Sequence, residues 1–149
     1  MVRLRAPVAG REAGAVVGTS SYLNASVPDS RLEIGATAFT PAVWGSGVNT
    51  DAKLQLLAYA FDEIGAGQVQ FVTDVRNRRS QLAIARLSAR YEGTLRRYQK
   101  RTDGTVRDSV LFSVIAEEWP VVREGLLERL RSAPMASVAR AGETTNASK

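Results

Sequence analysis

Between Arg31 and Ile64 the chain passes from strand-type alternation, through Trp44-Gly45-Ser46-Gly47-Val48-Asn49-Thr50, into helix-type spacing. Leu32, Ile34, Ala36 and Ala38 alternate with Glu33, Gly35 and Thr37, as in a half-buried strand running from Arg31 to Phe39. From Asn49 to Ile64, Ala52, Leu56, Leu57, Ala60, Phe61 and Ile64 fall on one helical face. Asn49 or Thr50 is the expected N-cap, Asp51 lies in the first turn and Gly65 is the stop. A glycine-rich turn between a strand end and a helix start can gather backbone N–H groups around an anion. Gly45 and Gly47 can take positive φ and admit close approach, and the helix dipole adds favourable potential. A phosphate-bearing ligand fits such a turn. An isolated Gly-x-Gly is also what an ordinary strand-to-helix turn looks like, so the surroundings must decide. No Gly-Lys-Ser/Thr follows, which excludes a Walker loop, and a dinucleotide fingerprint lacks its third glycine and its later ribose-binding acid.

The remaining pattern alternates strands and helices. Gly14 to Asn24 and Gln68 to Thr73 read as strands, and Arg78 to Ala89 as a helix burying Ala83, Ile84 and Leu87. Strand, helix, strand, helix implies a parallel pair. Tyr91 to Lys100 and Val106 to Ile115 flank Thr102-Asp103-Gly104-Thr105, a strong hairpin signal, so the sheet must be mixed. Glu117 to Arg131 reads as a closing helix with Pro120 in its first turn and Trp119, Val122, Leu126 and Leu130 on one face. One domain over residues 1–131 follows, with a disordered tail expected from Ser132 onward.

Composition narrows the chemistry. The 149 residues, 44% hydrophobic, suffice for one domain with its own core. With no histidine and no cysteine, triads built on either residue, the usual zinc sites and disulfides are excluded. A net charge of +5 favours an anionic ligand. It also leaves room for a binding module in which Arg76, Arg78, Arg79, Arg96, Arg97, Lys100, Arg101 and Arg107 form a stripe for nucleic-acid phosphates. Aromatic interleaving is sparse, with only Tyr91 and Tyr98 nearby, which weakens that alternative. No apolar run reaches the length of a membrane span and no secretory h-region opens the chain, so a cytoplasmic protein is expected.

Several motifs in order carry a family resemblance: Glu33-Ile34-Gly35, the Trp-Gly-Ser-Gly turn, Asn49-Thr50-Asp51-Ala52-Lys53, and Thr73-Asp74-Val75-Arg76-Asn77-Arg78-Arg79-Ser80. Arg96-Arg97, Asp103 to Asp108 and Glu118-Trp119-Pro120 extend it, so that it runs from about Gly14 to Leu130. The chain resembles the GCN5-related N-acetyltransferases (GNAT), in particular the RimJ/RimL-like branch. The resemblance implies an α/β fold with a mixed, mostly antiparallel sheet and helices on both faces. It also implies acetyl-CoA as co-substrate and a primary amine, on a protein N-terminus or a small molecule, as acceptor.

The same resemblance distributes the site. The pantetheine arm of acetyl-CoA would lie along Ala38, Phe39 and Thr40, and its pyrophosphate on Trp44, Gly45, Ser46, Gly47, Val48, Asn49 and Thr50. Asn77 and Ser80 match the family's Asn-x-x-Ser at the next helix start. An Asn there is otherwise a cap, and a Ser one turn in is otherwise a solvated side chain. Direct attack by the amine on the thioester needs no protein nucleophile, which suits this composition. Glu33 stands where some relatives carry a general base, and its alternation with Leu32 and Ile34 points it away from their face. Ser80 is the candidate acid for the departing thiolate, because the turn where relatives often carry a Tyr has Ile84; Tyr98 is a more distant option.

Some residues depart from the pattern. Trp44 stands where the broader family prefers Gln or Arg, and Asn49 where it prefers Gly or Ala. Met1 to Asn24 resembles the strand pair that precedes the turn, leaving out the family's first strand and two helices. The chain is therefore expected to be N-terminally truncated relative to the family, with self-association as a homo-oligomer one remedy for the exposed sheet. A non-catalytic acyl-CoA-binding or dimerising remnant is the further alternative.

Overall fold

The structure, a computed structural model, describes residues 1–132. The expected tail, apart from Ser132, lies outside the described residues. Six strands form one sheet: β1 (Val2–Arg3), β2 (Val16–Ser26), β3 (Arg31–Phe39), β4 (Gln68–Asp74), β5 (Arg90–Lys100) and β6 (Val106–Ile115), in the order β1-β2-β3-β4-β6-β5. The pair β3–β4 is parallel and the other pairs are antiparallel. The helices are α1 (Val48–Ala58), α2 (Arg78–Ala85) and α3 (Trp119–Ser132). The mixed sheet and the hairpin at Gly104, whose φ is +82°, follow the sequence expectation.

One element of the expected architecture differs. Leu32, Val69 and Val114 lie in register, as do Phe71 and Phe112, and all belong to the core that also takes Leu57, Ala60, Ile84, Leu87, Trp119, Val122 and Leu126. All three described helices therefore pack on one face of the sheet, not on both. Trp119, Val122 and Leu126 pack α3 into that core, and the topology accounts for α1 and α2: β3–α1–β4 and β4–α2–β5 both advance in the same direction across the sheet. Right-handed crossovers that advance the same way leave their helices on the same side.

The helix starts and stops also shift. Gly47, not Asn49 or Thr50, caps α1: its carbonyl accepts the first helical bond, from the Asp51 N–H at 2.9 Å, and the Ser46 hydroxyl accepts the Val48 N–H at 3.3 Å. Past Ala58 the ladder widens into one π-helical turn over Tyr59–Glu63, and Ile64 is left half exposed. That turn sets Phe61 against Trp119, ring centroids 5.4 Å apart, and presents Asp62 to the Trp119 indole N–H. α2 ends at Ala85, short of the expected Ala89, although Ile84, Leu87 and Ala89 are all buried.

The feature that positions a site is a splay. β3 and β4 pair only between Arg31–Glu33 and Gln68–Gln70, then diverge while β3 continues to Phe39 and β4 to Asp74. Beyond Glu33, β3 stays paired to β2 on its other edge through Gly35, Ala38 and Phe39. Among the described residues, its edge toward β4 carries no strand partner there.

Candidate active site

The splay opens into a cleft of about 910 Å³ on the helix-bearing face. β3 supplies one wall from Ile34 to Phe39, the glycine turn and the start of α1 form the rim, and the first turn of α2 lies opposite. Thr73 and Phe71 of β4 and Leu130 of α3 complete it.

Of the residues expected from sequence, Ala38, Phe39, Trp44, Gly45, Ser46, Gly47, Asn49, Thr50, Asn77 and Ser80 line this single cleft. Thr40 and Val48 do not. The Thr40 N–H is bonded to Val17 O, and Val48 packs against the smaller core of Leu4, Val17 and Val43. The N–H groups of Gly47, Asn49 and Thr50 have no protein acceptor among the described residues, and so remain open at the helix start. Gly45 has φ +76°, as the turn reading requires. Gly47 has an ordinary negative φ; what favours a small residue there is Leu130, whose methyl would lie 3.3 Å from an added Cβ.

On the opposite rim, Asn77 caps α2 through Oδ1, which accepts the Ser80 N–H at 3.0 Å. The capping role is real, and among the described residues the Asn77 amide NH₂ has no protein acceptor. The Ser80 hydroxyl makes no hydrogen bond to protein among the described residues. Trp44 folds back over the turn: its indole N–H donates to Phe39 O at 2.9 Å, and Arg79 lies over its ring.

Glu33 is absent from the cleft wall. It lies on the helix-free face at the foot of the splay, 7% exposed, with Asn24 Nδ2 donating to Oε2 at 2.7 Å. Its turn away from the Leu32 and Ile34 face is as the alternation predicts. Gln70 and Ser113 stand beside it in register, so the row across this face is polar. Glu33 and Ser80 thus approach the splay from opposite faces. Tyr98 sits half exposed on β5 and does not border the cleft, whereas Ile84 is buried in its floor.

Sequence reasoning missed Lys53. It is 5% exposed, lines the cleft, and donates to Thr37 Oγ1 at 2.6 Å and Ser20 Oγ at 2.8 Å. Burial pulls its ammonium down to about 8. The signal was present in its spacing, four residues before Leu57 and seven before Ala60, the two fully buried residues of that helical face. Among the described residues, Lys53, Arg79, Arg86 and Arg129 give the cleft four cationic side chains, and no carboxylate lines it.

Four of the eight residues of the expected basic stripe are engaged within the protein: Arg76 pairs with Asp74, Arg79 lies over Trp44, and Arg101 and Arg107 make side-chain hydrogen bonds. Arg101 forks onto Asp74, Nε to Oδ2 at 2.8 Å and Nη2 to Oδ1 at 3.1 Å, and Arg107 donates to Ser109. The fork holds the Asp74 carboxyl well below the usual carboxylate range.

The cleft at the strand splay is cationic and is rimmed by a glycine turn and a helix start, a lining suited to an anionic ligand. The profile of the acetyltransferase (GNAT) domain family matches residues 2–90, and the chain belongs to that family. The chain is 28% identical over 109 residues to the uncharacterized N-acetyltransferase p20 of Bacillus licheniformis, covering 73% of this chain and 60% of that protein. A solved structure from T. thermophilus, assigned as an acetyltransferase, is 41% identical with a TM-score of 0.74, covering 79% of this chain and 63% of that one. Mycobacterium smegmatis RimJ, solved in complex with CoA-disulfide, is 25% identical with a TM-score of 0.67, covering 77% of this chain and 55% of that one. The chain thus spans about three fifths of the length of such relatives. No helix among the described residues is long and apolar enough to cross a membrane.

Proposed function

We propose that the chain binds acetyl-CoA in the splay cleft and supports transfer of the acetyl group to a primary amine by direct attack. The observation that carries this reading is the composition of the cleft: four cationic side chains, no carboxylate, and the open N–H groups of Gly47, Asn49 and Thr50 at one end. A ligand carrying several phosphates at one end and amides along its length suits that lining. The turn and Arg79 would hold the phosphates, and the free edge of β3 from Ala36 to Phe39 would accept the arm as an added strand accepts a neighbour.

When bound, acetyl-CoA supplies an activated acyl thioester. The chain's own residues do the rest. In this reading an amine coming from the helix-free face meets the thioester in the gap where β3 and β4 diverge. Glu33, at the foot of that gap, is placed to take the amine proton, directly or through water. Ser80, whose hydroxyl makes no protein hydrogen bond among the described residues, would give a proton to the departing sulfur. Isothermal titration with acetyl-CoA, followed by an acetyl-transfer assay over peptide N-termini and small amines, tests this reading. Saturable binding with transfer to some amine supports it, and absence of acetyl-CoA binding overturns it.

A further inference from the structure

Lys53 poses a question that acetyl transfer does not itself answer. Its ammonium is almost fully removed from water, yet it faces only hydroxyls and an aromatic ring: Ser20 on β2, Thr37 on β3, and Phe71 on β4, whose centroid is 5.9 Å away. Ser20 and Thr37 are themselves 2.8 Å apart, so the three polar groups close a triangle. No carboxylate among the described residues pairs with it. The charged groups bordering the same cleft are Arg79 and Arg86, on and just beyond α2, and Arg129 on α3, all positive throughout the accessible pH range. On β2, Tyr22 donates to Leu56 O and is pushed above its ordinary value by burial, so it stays neutral. On α1 itself, Asp51 is exposed.

An ammonium has three N–H donors, and two are taken. The third has no protein acceptor among the described residues, and Lys53 borders the cleft beside the unpaired edge of β3. A buried cation with a spare donor is costly alone and becomes favourable when an acceptor arrives.

We propose that Lys53 is a cofactor-binding residue, donating its third N–H to the pantetheine arm of acetyl-CoA and so fastening that arm to the Thr37 stretch of β3. This deepens the reading of the cleft as an acetyl-CoA site and rests on it. The consequence is a linkage between proton and cofactor. Only the charged form has a third donor, so binding favours protonated Lys53 and raises its titration point above the free value of about 8. Affinity is then full near pH 7 and falls as pH rises through about 8, approaching tenfold per unit until the bound-state value is reached.

The test is calorimetric titration of acetyl-CoA, whose sulfur carries no proton, into wild type, Lys53→Met and Lys53→Arg between pH 7 and 9.5. The Lys53 side-chain titration is followed by NMR with and without the cofactor. Wild type should bind and lose affinity above pH 8. Lys53→Met should bind about 10- to 100-fold more weakly at pH 7 with no such fall. Lys53→Arg should recover part of the affinity and hold it to pH 9.5. The NMR titration should move upward on adding acetyl-CoA, a reading that needs no variant. Binding by wild type with an unmoved Lys53 titration, or a wild-type pH profile in Lys53→Met, overturns the proposal and leaves the site intact. No binding by wild type overturns both.

Discussion

The Arg79 guanidinium lies over the indole of Trp44, 3.5 Å from the ring centroid. Trp44 belongs to the glycine turn and Arg79 to the first turn of α2, so the stack bridges the two rims of the cleft. The Trp44 indole N–H is anchored to Phe39 O, which gives the bridge a fixed end on β3.

If this bridge preorganises the rims, Trp44→Ala should weaken acetyl-CoA binding about 2- to 5-fold, since exposed cation–π pairs are worth about 0.5–1 kcal/mol, and Arg79→Ala should weaken it more because the proposed phosphate contact would go too. The double variant should lose less than the two singles combined. A double-mutant cycle by calorimetry measures the coupling, and strictly additive losses would show that the stack does not tie the rims.

Lys53→Met should make the protein more stable while weakening the cofactor. Burial lowers the folded titration point of Lys53 from 10.5 to about 8, so the folded state is penalised fully below pH 8, and the penalty fades as pH rises from 8 toward 10.5. At pH 7 the variant should melt about 2–6 °C above wild type, the lost hydroxyl contacts offsetting part of the gain. The gap should narrow by pH 10. Equal melting temperatures at pH 7, measured by calorimetry or circular dichroism, would mean that the ammonium is not strained.

The Asp74–Arg101 fork ties the end of β4 to the β5–β6 hairpin, and the Arg101 guanidinium also donates to Val106 O. The Asp74 titration point is depressed by these bonds, so its contribution is present above the usual carboxylate range and is lost as pH falls through the acid range. Asp74→Asn should lower the melting temperature at pH 7 and flatten its fall between pH 5 and pH 2. A wild-type acid slope in the variant would assign that slope to other carboxylates.

Much of this was legible in the sequence because the relevant signals are local. The alternation of Leu32 to Ala38, the helical spacing around Leu57 and the Asp103-Gly104 turn each specify their element within a few residues. What escaped is set by tertiary context. The side of the sheet that a helix covers depends on the direction of successive crossovers, which no residue near α2 encodes. Ser46 and Gly47 start α1 early through a hydroxyl-to-amide bond that composition does not reveal. The spacing of Lys53 sets it on the buried helical face, but no nearby residue shows what would meet its ammonium there, since β2 and β3 bring Ser20 and Thr37 to it. The cleft residues from Ala38 to Thr50 were readable because one continuous strand-turn-helix carries them, whereas their closure by Leu130 and Arg129 depends on a segment about eighty residues away.

The roles of Ser80 and Glu33 separate kinetically. Ser80→Ala should lower kcat by roughly 10- to 10³-fold with little change in KM for acetyl-CoA, the lower end applying if water substitutes. Glu33→Gln keeps a hydrogen-bonding partner for Asn24 and removes the base, so the rise of kcat/KM with pH should flatten. Wild-type rates and profiles in both variants would leave transfer to positioning and backbone dipoles.

The central claim is that the glycine turn and the splay form one acetyl-CoA site, and titration of acetyl-CoA into wild type and Gly47→Glu tests it most directly. The φ of −70° at Gly47 is open to any residue and the Leu130 methyl can give way, so the variant should fold and melt much as wild type does. Its carboxylate would stand among the open N–H groups, in a cleft that otherwise holds no negative charge. The account predicts saturable one-to-one binding by wild type and a loss of about 30-fold or more in the variant. Unchanged affinity in a folded Gly47→Glu variant, or no binding by wild type, would contradict it.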